Sequence, residues 1–326
     1  MSGAEEKRVE AEIADGEREK RVEAEIRGRE REKRAGAEIA GGPGEMGLYI
    51  HIPFCRSRCH YCDFPSTAGL PRAEQLRYKE ALLWEWAAYR RPWPAPVRTL
   101  YVGGGTPTYL AEDILTAILT AVLAGLDEFS PPGAGGASRG LGRERQDKLS
   151  PLGAAGLTEF TVEANPGAVT AAKLASLRRL GCDRLSLGAQ SFDDRYLAWL
   201  GRGHRAADFF QAWRLAREAG FAALNLDLIY GLPGQSPDHW KRTLLTALGL
   251  APEHISLYQL SVEAGTVLGA RAAAGEQCGA AEEVCRQQYL LAHQSLTDAG
   301  FVHYEISNYA RPGSESRHNT LYWRNG

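Results

Sequence analysis

The sequence lacks the features of a membrane protein and of a nucleic-acid binder that works by bulk charge. Its 326 residues contain no apolar run long enough for a transmembrane helix, which needs about 18 residues. The formal net charge is only -2, and residues 46–326 hold 28 Lys and Arg against 27 Asp and Glu. The N-terminal segment is too charged for a signal peptide and too acidic for an organellar transit peptide. We therefore expect a soluble, cytoplasmic protein that binds no nucleic acid.

Cysteine is scarce and unevenly distributed. The chain has six cysteines, and Cys55, Cys59 and Cys62 all lie within "HIPFCRSRCHYCDF" (51–64). A fourth cysteine at the spacing of a zinc site is missing, and the chain is too long for a small disulfide-stabilised domain. In a reducing cytosol, clustered cysteines are more often metal ligands or redox groups than disulfides. The other three are scattered and are interpreted as buried bystanders: Cys182, Cys278 and Cys285.

Two segments differ in composition from the rest of the chain. Within residues 6–39, "EKRVEAEI" recurs with a period of 13 and holds too few apolar residues to bury a helix face. Residues 1–45 are therefore predicted to be a mobile appendage. Residues 130–156 are rich in Gly, Pro and Ser and are predicted to be a surface insertion. The insertion interrupts a core predicted over residues 46–310, and residues 311–326 form the start of a C-terminal region.

The core alternates between strand-like and helix-like segments, which predicts an α/β fold with a parallel sheet, open or closed into a barrel. Strands are predicted at 48–54, 97–102, 159–164, 183–189, 222–230 and 254–261. Helices are predicted at 72–90, 111–126, 170–180, 206–219, 237–250 and 282–299.

The chemically unusual residues follow or close predicted strands. In chain order they are the three cysteines, "GGGTP" (103–107), Glu163, Gln190 and Asp227. The carboxyl ends of parallel strands meet at one edge of the sheet, where active sites are built. The sequence therefore predicts that these residues converge on one site.

Each of these features is open to a second interpretation. Three thiolates on one loop can hold an iron-sulfur cluster with one iron left open, but a zinc site completed by His51 or His60, or chance clustering, is the alternative. Asp227 lies in an apolar strand, where a carboxylate is costly unless it binds a ligand or forms a salt bridge. "GGGTP" lets the backbone approach a ligand, although a plain turn would look similar. Glu163 alone is as easily a solvated residue at a strand end.

Together, "YIHIPFCRSRCHYC", "GGGTP" and "DLIYGLPGQ" closely resemble the radical S-adenosylmethionine (SAM) superfamily, in its coproporphyrinogen-oxidase-like branch, from about Tyr49 to the C-terminus. The resemblance implies a partial (β/α)6 barrel in which Cys55, Cys59 and Cys62 bind a [4Fe-4S] cluster and SAM chelates the open iron. It further implies that a reduced cluster transfers one electron to the SAM sulfonium, with formation of a 5'-deoxyadenosyl radical. The residues that it assigns to the cofactor are Tyr49, Tyr61, Gly104, Gly105, Thr106, Glu163, Gln190, Arg202, Asp227 and Ser261.

Two kinds of protein in this branch must be separated: oxygen-independent coproporphyrinogen III oxidases and HemW-type haem chaperones. Three features favour the chaperones. Asp63 follows the third cysteine, where the oxidase carries a Gly-Cys pair, and no Arg-Tyr-Thr-Ser-Tyr-Pro run precedes Tyr49. In addition, "RHNTLYW" (317–323) matches the HNxxYW motif of HemW-type proteins.

The HNxxYW motif supplies a candidate haem site. His318 is a candidate axial ligand, with Tyr322 and Trp323 as flat apolar surface, whereas a capping or core histidine is the alternative. We expect a chaperone that passes haem to an acceptor protein, takes electrons from a flavodoxin-type donor and lacks coproporphyrinogen dehydrogenase activity; the oxidase is the alternative. Because the sequence ends at Gly326, the C-terminal region of the family is expected to be truncated.

Overall fold

The centre of the molecule is an eight-stranded sheet with six neighbouring parallel strands. The computed structural model describes residues 45–89, 95–129 and 156–324. Their strands are β1 (Met46–Ile52), β2 (Phe54–Cys55), β3 (Thr67–Ala68), β4 (Val97–Gly104), β5 (Glu159–Ala164), β6 (Arg184–Gln190), β7 (Ala223–Tyr230), β8 (His254–Gln259), β9 (Val302–His303) and β10 (Asn308–Ala310). The sheet order is β1-β4-β5-β6-β7-β8-β10-β9, and β10 is antiparallel to both its neighbours. The parallel strands follow chain order, which is the topology of a (β/α) barrel with open edges at β1 and β9.

Helices connect the parallel strands. They are α1 (Arg72–Tyr89), α2 (Glu112–Phe129), α3 (Ala171–Arg179), α4 (Asp194–Trp199), α5 (Ala206–Glu218), α6 (Pro237–Gly249), α7 (Val267–Ala273), α8 (Glu282–Asp298) and α9 (Arg317–Trp323). Side-chain caps start several of them, since Thr170, Ser236 and Thr266 each accept a hydrogen bond from the backbone N–H three residues later. The last helix, α9, packs on β1 and β4.

The strands bury both of their faces, but with different side chains. In β7, the apolar positions are Leu224, Leu226 and Leu228, which belong to the main hydrophobic core together with residues of the surrounding helices. The positions between them carry Asn225 and Asp227. Successive side chains of a strand point to opposite faces, so the apolar set faces the helices and the polar set faces the barrel interior.

The α/β fold and the partial barrel expected from the sequence are confirmed. All six parallel strands and the six predicted helices are present, with bounds that differ by a few residues. The sequence did not predict the short elements β2, β3, α4, α7, β9, β10 and α9. The predicted appendage (1–45) and insertion (130–156) lie outside the described residues except at Glu45 and Gly156. Among the described helices, none is long and apolar enough to cross a membrane.

Candidate functional site

The cysteine loop begins in β2 and is held in place by the turn that follows α4. The backbone N–H of His60 donates to the carbonyl of Leu200 at 2.9 Å, and its ring Nδ1 donates to the carbonyl of Trp199 at 2.7 Å. Gly201 faces the same ring at a φ of +71°, and a Cβ there would lie 2.6 Å from the imidazole. Only glycine therefore allows this close approach of the turn to the loop.

The thiols of this loop fit a multi-iron cluster better than a single zinc ion. Burial raises the pKa of the Cys62 thiol, and the Cys59 and Cys55 thiols raise it further. Within the described residues, no three His, Cys, Asp or Glu side chains are arranged to hold one metal ion. The His60 ring is engaged by Trp199, and His51 Nε2 donates to the carbonyl of Pro65 at 2.9 Å. An iron-sulfur cluster does not require the three sulfurs to surround one metal ion, because each thiolate binds a different iron.

The glycine-rich stretch lies directly against the cysteine loop. Thr106 N–H donates to the carbonyl of Phe54 at 2.7 Å, and Thr106 Oγ1 lies 3.5 Å from Cys55 Sγ. A Cβ on Gly105 would lie 2.8 Å from the Phe54 carbonyl oxygen, and one on Gly104, whose φ is +114°, 2.7 Å from the His51 ring. A cavity of about 420 Å³ borders Cys59 and Thr106. The glycines are therefore required for close contact between the two loops.

Glu163 is half-buried near the end of β5 and is hydrogen bonded from two sides. The Tyr101 hydroxyl donates to Oε1 at 2.7 Å, and the Gly104 N–H donates to Oε2 at 3.1 Å. Burial raises the pKa of Glu163 to about 7, and Asp227 adds to the rise, whereas the two hydrogen bonds oppose it. A carboxylate in this state is suited to a cationic ligand, which would favour its ionised form.

Asp227 belongs to a polar network in the barrel interior. Asn225 Nδ2 donates to its Oδ1 at 2.7 Å, and Ser186 Oγ donates to its Oδ2 at 3.3 Å. Burial raises the pKa of Asp227 in spite of these hydrogen bonds. Glu163 and Asp227 line the same cavity of about 50 Å³, together with Tyr101 and Tyr258. The hydrogen-bond partners of Asp227 are neutral amide and hydroxyl groups, and the charge of Arg184 in the same cavity lowers its pKa.

Gln190 and Arg202 carry buried polar atoms that lack a partner among the described residues, namely Gln190 Oε1 and Arg202 Nε. Gln190 also has a φ of +64°, a conformation that residues other than glycine rarely adopt. Such unsatisfied groups and local strain are typical of a site built to bind something. Arg202 Nη1 donates to Cys59 Sγ at 3.4 Å, which ties this pair to the cysteine loop.

The remaining predicted cofactor residues lie around this edge. Tyr61 is half-buried beside Arg202, and its partial burial raises its pKa. Tyr49 is partly exposed on β1, and its hydroxyl donates to His51 Nδ1 at 3.1 Å. Ser261 follows β8 and is exposed. Its hydroxyl donates a hydrogen bond to Glu263, and among the described residues no hydrogen bond joins Ser261 to another predicted site residue.

His318 lies on α9 and is buried against the open edge of the barrel. Only 7% of the residue is exposed, its Nδ1 is 2.8 Å from Thr99 Oγ1, and its ring stacks on Tyr101 at 5.1 Å. Burial lowers its pKa. A Cβ on Gly47 would lie 3.0 Å from the imidazole, so the space for the His318 ring depends on that glycine.

Sequence reasoning missed most of the polar residues inside the barrel. They include Tyr101, Arg184, Ser186, Asn225, His254, Ser256 and Tyr258. The available signal was the alternation within strands: "RLSLGAQ" and "ALNLDLIY" place a polar or small residue at every second position of β6 and at two such positions of β7. A strand buried on both faces that still alternates indicates a polar interior.

Comparisons with known proteins agree with this site. The family model described as "Radical SAM superfamily" matches residues 49–247. A protein from Synechocystis named "Heme chaperone HemW" is 38% identical over 85% of this chain and 62% of its own length. Proteins of the same name from Bacillus subtilis and Escherichia coli are each 36% identical, over 85% and 86% of this chain and 66% and 67% of theirs. The chain therefore spans about two thirds of the length of these curated relatives.

Among solved structures, the coproporphyrinogen III oxidase HemN of Escherichia coli, titled a radical SAM enzyme, superposes with a TM-score of 0.67 at 25% identity, over 86% of this chain and 58% of that one. The sequence similarity to the HemW relatives is higher than this. From the matched family model, the identity to these relatives and the shared barrel, the chain belongs to the radical SAM superfamily and, within it, to the HemW family.

Proposed function

We propose that this protein is a haem chaperone, which binds haem at the surface of α9 and passes it to an acceptor protein. The observation that carries this proposal is the exposure of two aromatic rings of the HNxxYW motif, since Tyr322 is 78% and Trp323 48% exposed. Aromatic rings offer flat apolar surface that suits a macrocycle. The curated relatives described above carry the name "Heme chaperone".

The helix α9, which carries the proposed haem surface, contacts residues that also contact the predicted cofactor site. Burial raises the pKa of Tyr49 to about 12, and Glu163, Tyr78 and Tyr322 contribute to the rise. Tyr49 stacks on Tyr101 at 6.0 Å, and Tyr101 in turn stacks on His318 of α9 at 5.1 Å and donates a hydrogen bond to Glu163. The radical SAM fold implies a [4Fe-4S] cluster and SAM. We propose that Cys55, Cys59 and Cys62 bind the cluster and that the residues assigned to SAM in the sequence analysis bind SAM. We further propose that a flavodoxin-type protein supplies the electron.

His318 remains a prediction as the axial haem ligand. Its imidazole is buried and engaged with Thr99, so iron ligation requires α9 to move away from β4. Tyr322 and Trp323 need no such movement to contact the macrocycle. The first contact with haem is therefore assigned to the two aromatic rings.

Haem titration of anaerobically purified protein, followed by the Soret band, tests the proposal. We expect stoichiometric uptake and a Kd weakened on the order of tenfold in Trp323→Ala, because a lost aromatic contact costs about 1 kcal/mol or more. The matched control is Trp84→Ala, which removes a tryptophan that is 76% exposed on α1. In His318→Ala, a changed Soret position would support axial ligation. Equal affinities of the parent, Trp323→Ala and Trp84→Ala would refute the assigned surface.

The oxidase alternative is tested with the same preparations. Protein supplied with SAM, a reductant and coproporphyrinogen III is expected to form no protoporphyrinogen IX. Formation of that product would replace the chaperone proposal with the oxidase. If neither haem uptake nor product is observed, a purely structural iron-sulfur protein becomes the better interpretation.

A further inference from the structure

Arg202 makes a contact that SAM binding does not require. It lies in the turn between α4 and α5, directly after Gly201, whose φ is +71°. One terminal nitrogen, Nη1, donates to Cys59 Sγ at 3.4 Å, and the other, Nη2, donates to the carbonyl of Gly188 at 2.8 Å. The planar guanidinium is thus fixed between the end of β6 and the cysteine loop.

We propose that Arg202 is a positioning residue for the cluster, whose N–H···S bond to Cys59 raises the reduction potential of the [4Fe-4S] cluster. The inference deepens the proposed cofactor site and rests on the presence of that cluster. Reduction adds one negative charge to the cluster and its thiolates. A cation and a hydrogen bond at a sulfur stabilise that added charge, and hydrogen bonds to sulfur are among the factors that set such potentials.

The surroundings of Arg202 make this contact effective. Its Nε is shut off from solvent, so its charge is weakly screened. The absence of a side chain on Gly188 makes room for it, because a Cβ there would lie 3.2 Å from Nη2. The nearby His204 is buried, and its pKa is lowered to about 4 by burial and then by Arg202, so it adds no second positive charge near neutral pH.

Arg58 provides a matched comparison on the same loop. Its Nε donates to the carbonyl of Cys62 at 3.1 Å, whereas its contact to the loop involves no sulfur. Arg58 is exposed, so solvent screens its charge. If charge near the loop were sufficient, removal of Arg58 and of Arg202 would have similar effects. If the buried N–H···S bond is decisive, only Arg202 matters.

The test is an EPR-monitored redox titration of anaerobically reconstituted Arg202→Gln, Arg202→Lys and Arg58→Gln proteins, with iron and sulfide content measured on each. SAM is omitted in the first series. At a fixed applied potential, we expect the ratio of reduced to oxidised cluster to fall about tenfold in Arg202→Gln, which is a shift of 59 mV for one electron. Arg202→Lys keeps the charge and is expected to lie between Arg202→Gln and the parent. Arg58→Gln is expected to change the ratio less than about threefold, because its charge is screened.

An unchanged ratio in Arg202→Gln with full iron and sulfide would overturn the proposal. A shift that appears only after SAM is added would also overturn it, because it would assign Arg202 to SAM alone. Loss of iron in both Arg202 variants would count against it as well, since three thiolates remain to bind the cluster. Haem uptake of the same preparations separates this inference from the proposed function: a parent protein that takes up no haem but shows the shift would remove the chaperone and leave the role of Arg202.

Discussion

At the scale of residues, the barrel interior is defined by two half-buried carboxyl groups, of which Glu163 has no cationic side chain among its hydrogen-bond partners and Asp227 is near Arg184. Glu163 and Asp227 line the same small cavity, and each raises the cost of ionising the other, as the raised pKa of Glu163 indicates. Their hydrogen-bond donors are neutral groups of Tyr101, Asn225 and Ser186. A cation placed between them would relieve this cost. The SAM sulfonium and ammonium are suitable charges for this position.

The raised pKa of Glu163 predicts how stability depends on pH. Its ordinary value is 4.5 and its folded value is about 7, so the folded protein binds this proton more tightly than the unfolded chain. The resulting stability is fully present below pH 4.5 and is lost as the pH rises through about 7. The shift corresponds to about 3 kcal/mol in the free energy of unfolding. Because Glu163→Gln mimics the protonated form, we expect it to be more stable than the parent by up to this amount at pH 8 and similar to it at pH 4.5.

Urea unfolding of SAM-free protein at these two pH values measures the difference. The matched control is Glu80→Gln, an exposed carboxylate on α1, for which we expect equal stability within about 0.5 kcal/mol. A parent protein whose stability relative to Glu163→Gln is the same at both pH values would contradict the assignment of a raised pKa to this carboxyl group.

At the scale of elements, α9 is held by the buried side chain of Glu159, the first residue of β5. Glu159 accepts hydrogen bonds from Ser316 Oγ at 3.2 Å and from the N–H groups of Arg317 and His318 at 2.8 and 3.3 Å. A carboxylate at the start of a helix satisfies backbone donors that lack a partner within the helix. The motif helix is therefore attached to the barrel interior at its N-terminus, while Tyr322 and Trp323 near its other end stay exposed.

Weakening this attachment is expected to loosen α9 alone. Ser316 also caps the helix by accepting the N–H of Asn319 at 3.3 Å, so Ser316→Ala loses both a cap and a hydrogen bond to Glu159. We expect a cost of about 1–2 kcal/mol and, in hydrogen exchange, roughly tenfold faster exchange in peptides covering residues 317–323. Ser236→Ala removes the equivalent cap of α6, where Ser236 accepts the N–H of His239 at 3.2 Å, and serves as the control. Faster exchange of α9 in both variants, or in neither, would refute a specific attachment through Ser316.

At the scale of the whole molecule, the sequence was sufficient to predict the barrel but not most of the polar side chains inside it. Apolar periodicity predicts six strands and six helices because burial of apolar side chains determines those elements. Asp227 was recognisable because it interrupts an apolar strand, whereas Tyr101 was not, since a tyrosine in a strand is common. The position of the His318 ring depends on Thr99 and Gly47. Both residues are distant from His318 in sequence, so no local pattern could indicate this position. Local signals therefore predicted elements, and contacts across the sheet decided the site.

The predicted surface insertion provides a test of the domain organisation. It enters the crossover between β4 and β5, after α2 ends at Phe129 and before Gly156, whose carbonyl accepts a hydrogen bond from Arg98 at 3.1 Å. We expect that an eight-residue Gly/Ser linker can replace residues 130–155, because the closure free energy of a surface loop changes by only about 1 kcal/mol when its length falls from 26 to 8 residues. Thermal unfolding, iron content and haem uptake should match those of the parent. A variant with the same 26 residues in shuffled order separates the effect of length from that of sequence. Loss of iron or haem uptake in the shortened protein would show that the segment contributes to the site and would refute its assignment as an insertion outside the core.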